Sequence, residues 1–100
     1  MSTVTVRMTV KPDRHDDFLR ILEDVTKAVE DSEPDCFVYA TWKTNTPFEY
    51  LMVESYRSVA GRELHNQRHA GVAKAFFECL EGPPEVEELG DLLFGSVRAI

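Results

Sequence analysis

Between Tyr50 and His69 the chain collects a carboxylate, a phenol and two imidazoles: Glu54 and Tyr56 on an apolar run, then His65 and His69 four residues apart. On a continuous helix that spacing puts both rings on one face, and Val72 and Phe76 extend the same row inward. An imidazole on such a row is either a core residue satisfied by one hydrogen bond or an acid or base lining a pocket. A metal site is a third reading, because the spacing can supply two ligands. No third ligand is identifiable by spacing, so no metal is expected. Glu54 lies among Leu51, Met52 and Val53, where an unpaired charge is costly. It needs hydrogen bonds from the start of the next helix, an arginine such as Arg57 or Arg62, or an imidazole. In the last case Glu54 would orient His65 and fix which nitrogen carries the proton. Tyr56 shares a strand face with Glu54 and is a candidate pocket wall or hydrogen-bond donor, with Tyr39 next. Trp42, Phe76 and Phe77 belong to core, interface or pocket wall. His15, beside Asp16 and Asp17, reads as a solvated residue.

The elements that must position these groups follow from periodicity. Thr3 to Val10 alternates Val4, Val6, Met8 and Val10 with Thr3, Thr5, Arg7 and Thr9, the signature of a half-buried strand. Lys11-Pro12-Asp13 breaks it, and Asp13 is the expected cap of a helix whose apolar side runs Phe18, Ile21, Leu22, Val25, Val29. Pro34 ends that helix. Strands Cys36 to Lys43 and Phe48 to Tyr56 flank the turn formers Thr44 to Pro47 and predict an antiparallel hairpin, apolar on both faces. Both faces must therefore be covered; helices can cover one, and a second subunit can cover the other. Ser58 is placed to cap a helical region reaching Leu80 with a bend at Gly71, and Gly82-Pro83-Pro84 stops it. Glu85 to Leu89 and Leu92 to Ala99 compete as the final strand. The order predicts an α+β domain with the ferredoxin-like split βαβ arrangement, residues 1–100 forming one domain.

The net charge of −7, with basic residues scattered singly, argues against nucleic acid and anionic membrane surfaces. No segment has the apolar length to span a bilayer, and the first ten residues lack the pattern of a secretion signal, so the expected location is cytoplasmic. Cys36 and Cys79 have no metal-type spacing and read as small buried hydrophobes rather than a disulfide. Phosphate-cradling glycine loops, dinucleotide fingerprints and nucleophile elbows are absent from the sequence, and no cofactor is expected.

A specific resemblance rests on Val10-Lys11-Pro12, Ser32-Glu33-Pro34-Asp35-Cys36-Phe37-Val38-Tyr39, Thr46-Pro47, Val53-Glu54-Ser55-Tyr56-Arg57-Ser58, Leu64-His65 with His69, and Glu81-Gly82-Pro83-Pro84. In order and spacing these segments resemble the antibiotic biosynthesis monooxygenase family of dimeric α+β barrel proteins, which includes cofactor-independent quinol monooxygenases. Asp35 stands where the family usually has glycine, and Tyr56 where tryptophan is common. The resemblance implies a homodimeric barrel and a monooxygenase acting with dioxygen on an electron-rich aromatic, a quinol or polycyclic phenol. His65 would be the base, with Glu54 and Tyr56 as its catalytic partners and Tyr39, Trp42, His69 and Phe77 as substrate contacts. Alternatives on the same fold are an acid-base isomerase of a small phosphorylated ketone, using Arg62 and Arg68, a haem-degrading monooxygenase, and a non-catalytic binding dimer.

Overall fold

The computed structural model describes residues 1–96. Strand β1, Ser2–Thr9, leads through a 3-10 turn at Pro12–Arg14 into helix α1, His15–Ser32. The hairpin strands β2, Cys36–Lys43, and β3, Glu49–Tyr56, precede helices α2, Val59–Arg68, and α3, Ala70–Glu78, and strand β4, Glu85–Leu89, follows. The four strands form one sheet in the order β2-β3-β1-β4, each neighbouring pair antiparallel. This is the expected α+β arrangement, with β1 and β3 in the centre and the helices against one face.

The alternation in β1 sets the core. Val4, Val6 and Met8 join Tyr50 and Met52 of β3 beneath Phe18, and Leu22 and Phe76 pack against that cluster. Register carries the same parity to Tyr39, opposite Glu54, and to Val86, opposite Val6. Leu51, Val53, Val38, Ala40 and Trp42 have the opposite parity and lie on the sheet face away from the core, where Trp42 is 55% exposed. Both faces are thus apolar, as the sequence implied, and α1, α2 and α3 cover only one.

Several local expectations change. Asp13 does not cap α1: it lies inside the 3-10 turn, and Arg14 at the N-cap makes no side-chain capping bond. Ser58 does cap α2, its hydroxyl accepting from the Gly61 N–H at 3.2 Å. The helical region breaks at His69, not Gly71, with φ −104° and ψ 9°. Phe48 is not in the strand but adopts a left-handed φ of 61°, while its carbonyl accepts from the Val10 N–H at 2.8 Å. Glu85–Leu89 is the fourth strand, residues 92–96 carry no strand, and the remainder of the Leu92 to Ala99 candidate lies outside the described residues. Cys79 is buried, whereas Cys36 is only half-buried, and both are free. Among the described residues no helix is long and apolar enough to cross a membrane.

Candidate active site

Pro34 imposes extended geometry on the residue before it, and Glu33 accordingly leaves the helix with φ −124° and ψ 76°. Its backbone is tied on both sides, N–H to the Val29 carbonyl and carbonyl to the Cys36 N–H, each at 3.0 Å. The turn fixed in this way aims the Glu33 carboxylate at α2. That helix starts hard against the turn: a Cβ on Gly61 would stand 3.1 Å from Asp35 Cβ, and the Arg57 N–H donates to the Asp35 carbonyl at 2.7 Å. Glycine at 61 permits the close approach.

The last turn of α2 presents His65, and the cap residue that follows it His69, to Glu33. His65 Nδ1 lies 2.7 Å from Glu33 Oε1, and His69 Nε2 lies 2.7 Å from Glu33 Oε2. Side-chain exposure is 6% for Glu33, 7% for His65 and 17% for His69. An ionised carboxylate only accepts, so each ring donates an N–H to it; in the neutral form His65 then carries its lone pair on Nε2 and His69 on Nδ1. Burial alone would push the Glu33 carboxyl up. The hydrogen bonds from His69 and His65, with their charges, outweigh burial and hold it below the ordinary value of 4.5.

Glu54 plays a different part from the one the sequence suggested. Its Oε1 is 3.9 Å from His65 Nε2, beyond a hydrogen bond, so the imidazole is oriented by Glu33. Glu54 is held instead by Tyr56, whose hydroxyl donates to Oε1 at 2.6 Å. Neither arginine partners it: Arg57 pairs with Asp35 at 3.5 Å and Arg62 with Glu88 at 2.6 Å. Burial first, then the Glu54 charge, pushes the Tyr56 phenol far up, and the same causes in the same order raise Tyr39. Both hydroxyls stay protonated and can serve as donors but not as bases.

These groups close one end of a cavity of about 220 Å³ between the helices and the sheet. Tyr39, Glu54, Arg62, His65, Asn66 and His69 make its polar end, while Val6, Met52, Phe76, Phe77 and Val86 are among the apolar walls. The cavity thus gathers five of the seven residues singled out from the sequence. Tyr56 is almost fully buried behind Glu54 and does not line it. Trp42 does not line it either, because it projects from the far face of the sheet. The signal for this was available, since Trp42 is an odd number of residues from Tyr39 along one strand. Glu33 is a site residue that the sequence reading does not single out: it figures there only beside the helix-ending Pro34 and in the segment that carries the family resemblance, and its partners lie 32 and 36 positions downstream. His15 is not a solvated residue, since its Nε2 meets the Tyr50 hydroxyl and its ring packs edge-on to Phe48.

Chemically the arrangement offers, on each of two imidazoles in their neutral form lining a largely apolar cavity, the nitrogen not bonded to Glu33: Nε2 of His65 and Nδ1 of His69. The buried carboxylate behind both rings stabilises the imidazolium that would form.

Comparisons with known proteins agree on the fold. Residues 1–78 match the family described as antibiotic biosynthesis monooxygenase. Among curated proteins none matches the chain. Rv0793 from Mycobacterium tuberculosis superposes with a TM-score of 0.85 at 22% identity, covering 95% of this chain and 98% of that one. A Caulobacter crescentus CB15 protein, provisionally named an antibiotic biosynthesis monooxygenase, gives 0.83 at 23% identity over 91% and 89%. A conserved protein from Methanosarcina mazei Go1 gives 0.80 at 18% over 88% and 89%. At such identities the structures establish the common ferredoxin-like fold, and the family match over most of the chain establishes membership: this chain belongs to the antibiotic biosynthesis monooxygenase family.

Proposed function

We propose that the chain is a cofactor-independent monooxygenase of a small electron-rich aromatic, a quinol or phenol, with His65 as its base. The observation that carries this reading is that His65, its Nδ1 fixed by the bond to Glu33 and its Nε2 without a hydrogen bond, lines a cavity that is otherwise largely apolar. A phenolic hydroxyl at the polar end would give its proton to Nε2. Glu33 would stabilise the resulting imidazolium, and the Tyr39 hydroxyl would donate to the phenolate oxygen. The electron-rich anion can then pass an electron to dioxygen. For a quinol the balance closes without other reductant: quinol and dioxygen give hydroxyquinone and water, one oxygen atom entering a ring C–H position and the other leaving as water. The protein need supply only base, orientation and exclusion of water.

The size of the cavity favours the smaller members of this class. A cavity of about 150 Å³ accepts benzene, so one of about 220 Å³ suits one ring or two fused rings better than a larger polycycle. A phosphorylated ketone is less well served, since Arg62 is paired with Glu88 and Arg68 is bonded to the Ser32 carbonyl and hydroxyl. A homodimer is the second part of the proposal, supported by the uncovered apolar face around Trp42 and Leu51.

Oxygen uptake across a panel of monocyclic and bicyclic quinols tests the reaction, with an anaerobic control that must abolish conversion. His65→Ala is expected to lower turnover by at least about a hundredfold, the low end for a general base. Full turnover by that variant, or conversion indifferent to oxygen, refutes the assignment.

A further inference from the structure

Glu33 stands between the two imidazoles with one oxygen toward each, and the three donors come from elements whose backbones are already fixed. One ring nitrogen from each of His65 and His69 and a Glu33 oxygen all lie within 4.8 Å of one another, and His65 Nδ1 and His69 Nε2 are the nitrogens that meet Glu33. Bound transition ions hold such atoms at about 2.0–2.2 Å, so side-chain rotations are enough to bring the three onto one ion. Two imidazole nitrogens and a carboxylate are borderline donors that suit first-row transition metals, whereas hard cations favour all-oxygen sets. Three protein ligands also leave coordination positions open, and both histidines border the cavity.

Outer support is present as well. Metal-bound imidazoles donate their other N–H to an oriented acceptor. For His65 the nearest such group is Glu54, whose Oε1 is 3.9 Å from Nε2, outside hydrogen-bond range until the ring turns onto the ion, and which is itself held by the Tyr56 hydroxyl. Arg68, whose Nη1 is 3.9 Å from Glu33 Oε2, is the opposing charge, and it is held on the outside by Ser32.

We propose that Glu33, His65 and His69 form a three-ligand site for a divalent first-row transition-metal ion. An ion on Nδ1 moves the ring proton of His65 to Nε2, facing Glu54. The lone pair required for proton abstraction is then gone, so occupancy by the ion and base catalysis by His65 exclude one another. The site goes beyond the oxygenase reading and can fail without it.

Tag-free protein, stripped with chelator and dialysed, is titrated with zinc chloride in a calorimeter. Saturable uptake of one Zn²⁺ per chain is expected, with Mg²⁺ unable to compete. His69→Ala and the milder His69→Gln should each weaken it at least about tenfold. His15→Ala, whose ring lies on Phe48 and Tyr50 instead, should leave it unchanged. Cobalt(II) added to the intact chain should develop visible absorption bands of nitrogen and oxygen coordination. Absence of saturable zinc uptake, or uptake undiminished in both His69 variants, overturns the proposal. Oxygen uptake by the zinc-free protein tests His65 as a base separately.

Discussion

Glu33→Ala is the perturbation that most directly probes how the site is held. The carboxylate accepts two hydrogen bonds of 2.7 Å at 6% side-chain exposure. Hydrogen bonds to charged groups contribute about 1.5–3 kcal/mol each when partners are buried. The His65 N–H, at 7% exposure, loses its acceptor outright, whereas His69, at 17%, is nearer water and recovers part of the loss. The expected cost is about 3 kcal/mol, at the lower end of what breaking a buried pair costs. With a urea slope of about 1–1.5 kcal/mol/M for a domain of this size, the midpoint should fall by about 2–3 M. Repeating the substitution in a His65→Ala, His69→Ala background should remove most of the effect, since coupled groups show non-additivity. The direction with pH is also fixed. Because its hydrogen-bonded neighbours hold the carboxyl below 4.5 in the folded state, the advantage of glutamate over alanine is present above pH 4.5 and is lost as acid protonates it. The groups facing it are His65, His69 and Arg68. A loss below about 1 kcal/mol at neutral pH, or an equal loss in the histidine-free background, would refute this account of the triad.

Tyr56→Phe removes the hydroxyl that holds Glu54 and should cost about 1.5–3 kcal/mol in urea unfolding, the range for a hydrogen bond to a charged group; an unchanged midpoint would show that the bond carries no weight. The Cys36 thiol is pushed up to about 11, by burial first and then by Glu33 and Glu54, so its alkylation should be slow at pH 8 and climb until about pH 11. A plateau already reached near the ordinary cysteine value contradicts that environment, and Glu33→Gln should move the midpoint down. Trp42→Asp places a charge on the open sheet face and, on the proposed dimer, is expected to shift sedimentation to monomer, leaving the cavity on the other face intact. Persistence of the dimer would remove that face from the interface.

Much of the fold was legible because periodicity and punctuation agree: alternating valines mark β1, the apolar stripe marks α1, and Pro34 ends it. The site was legible only where chemistry lay on a periodic element, as with Glu54 in its strand and His65 and His69 at helical spacing. Glu33 was hidden because a turn residue has no period to place it, and its meeting with α2 depends on the close contact of Asp35 with Gly61. The break at His69 was equally obscure, since glycine two residues on offered the more conventional signal. Trp42 is a different case: alternation along β2 places it away from Tyr39, whereas its aromatic character leaves core, interface and pocket wall open and only the family resemblance makes it a substrate contact.

The pairing of β2 with β3 shifts between Cys36 and Val38. Phe37 is therefore supernumerary, an extra residue against the partner strand. Because of it, Cys36 beside Tyr56 and Tyr39 beside Glu54 point the same way although an odd count separates them. Deleting this one phenylalanine would leave a hairpin of similar length but rotate everything upstream of it by half a pleat relative to Tyr39. The phenol and the Glu33 corner could then no longer serve the same chamber, so the alignment of one wall with its base hangs on a single insertion.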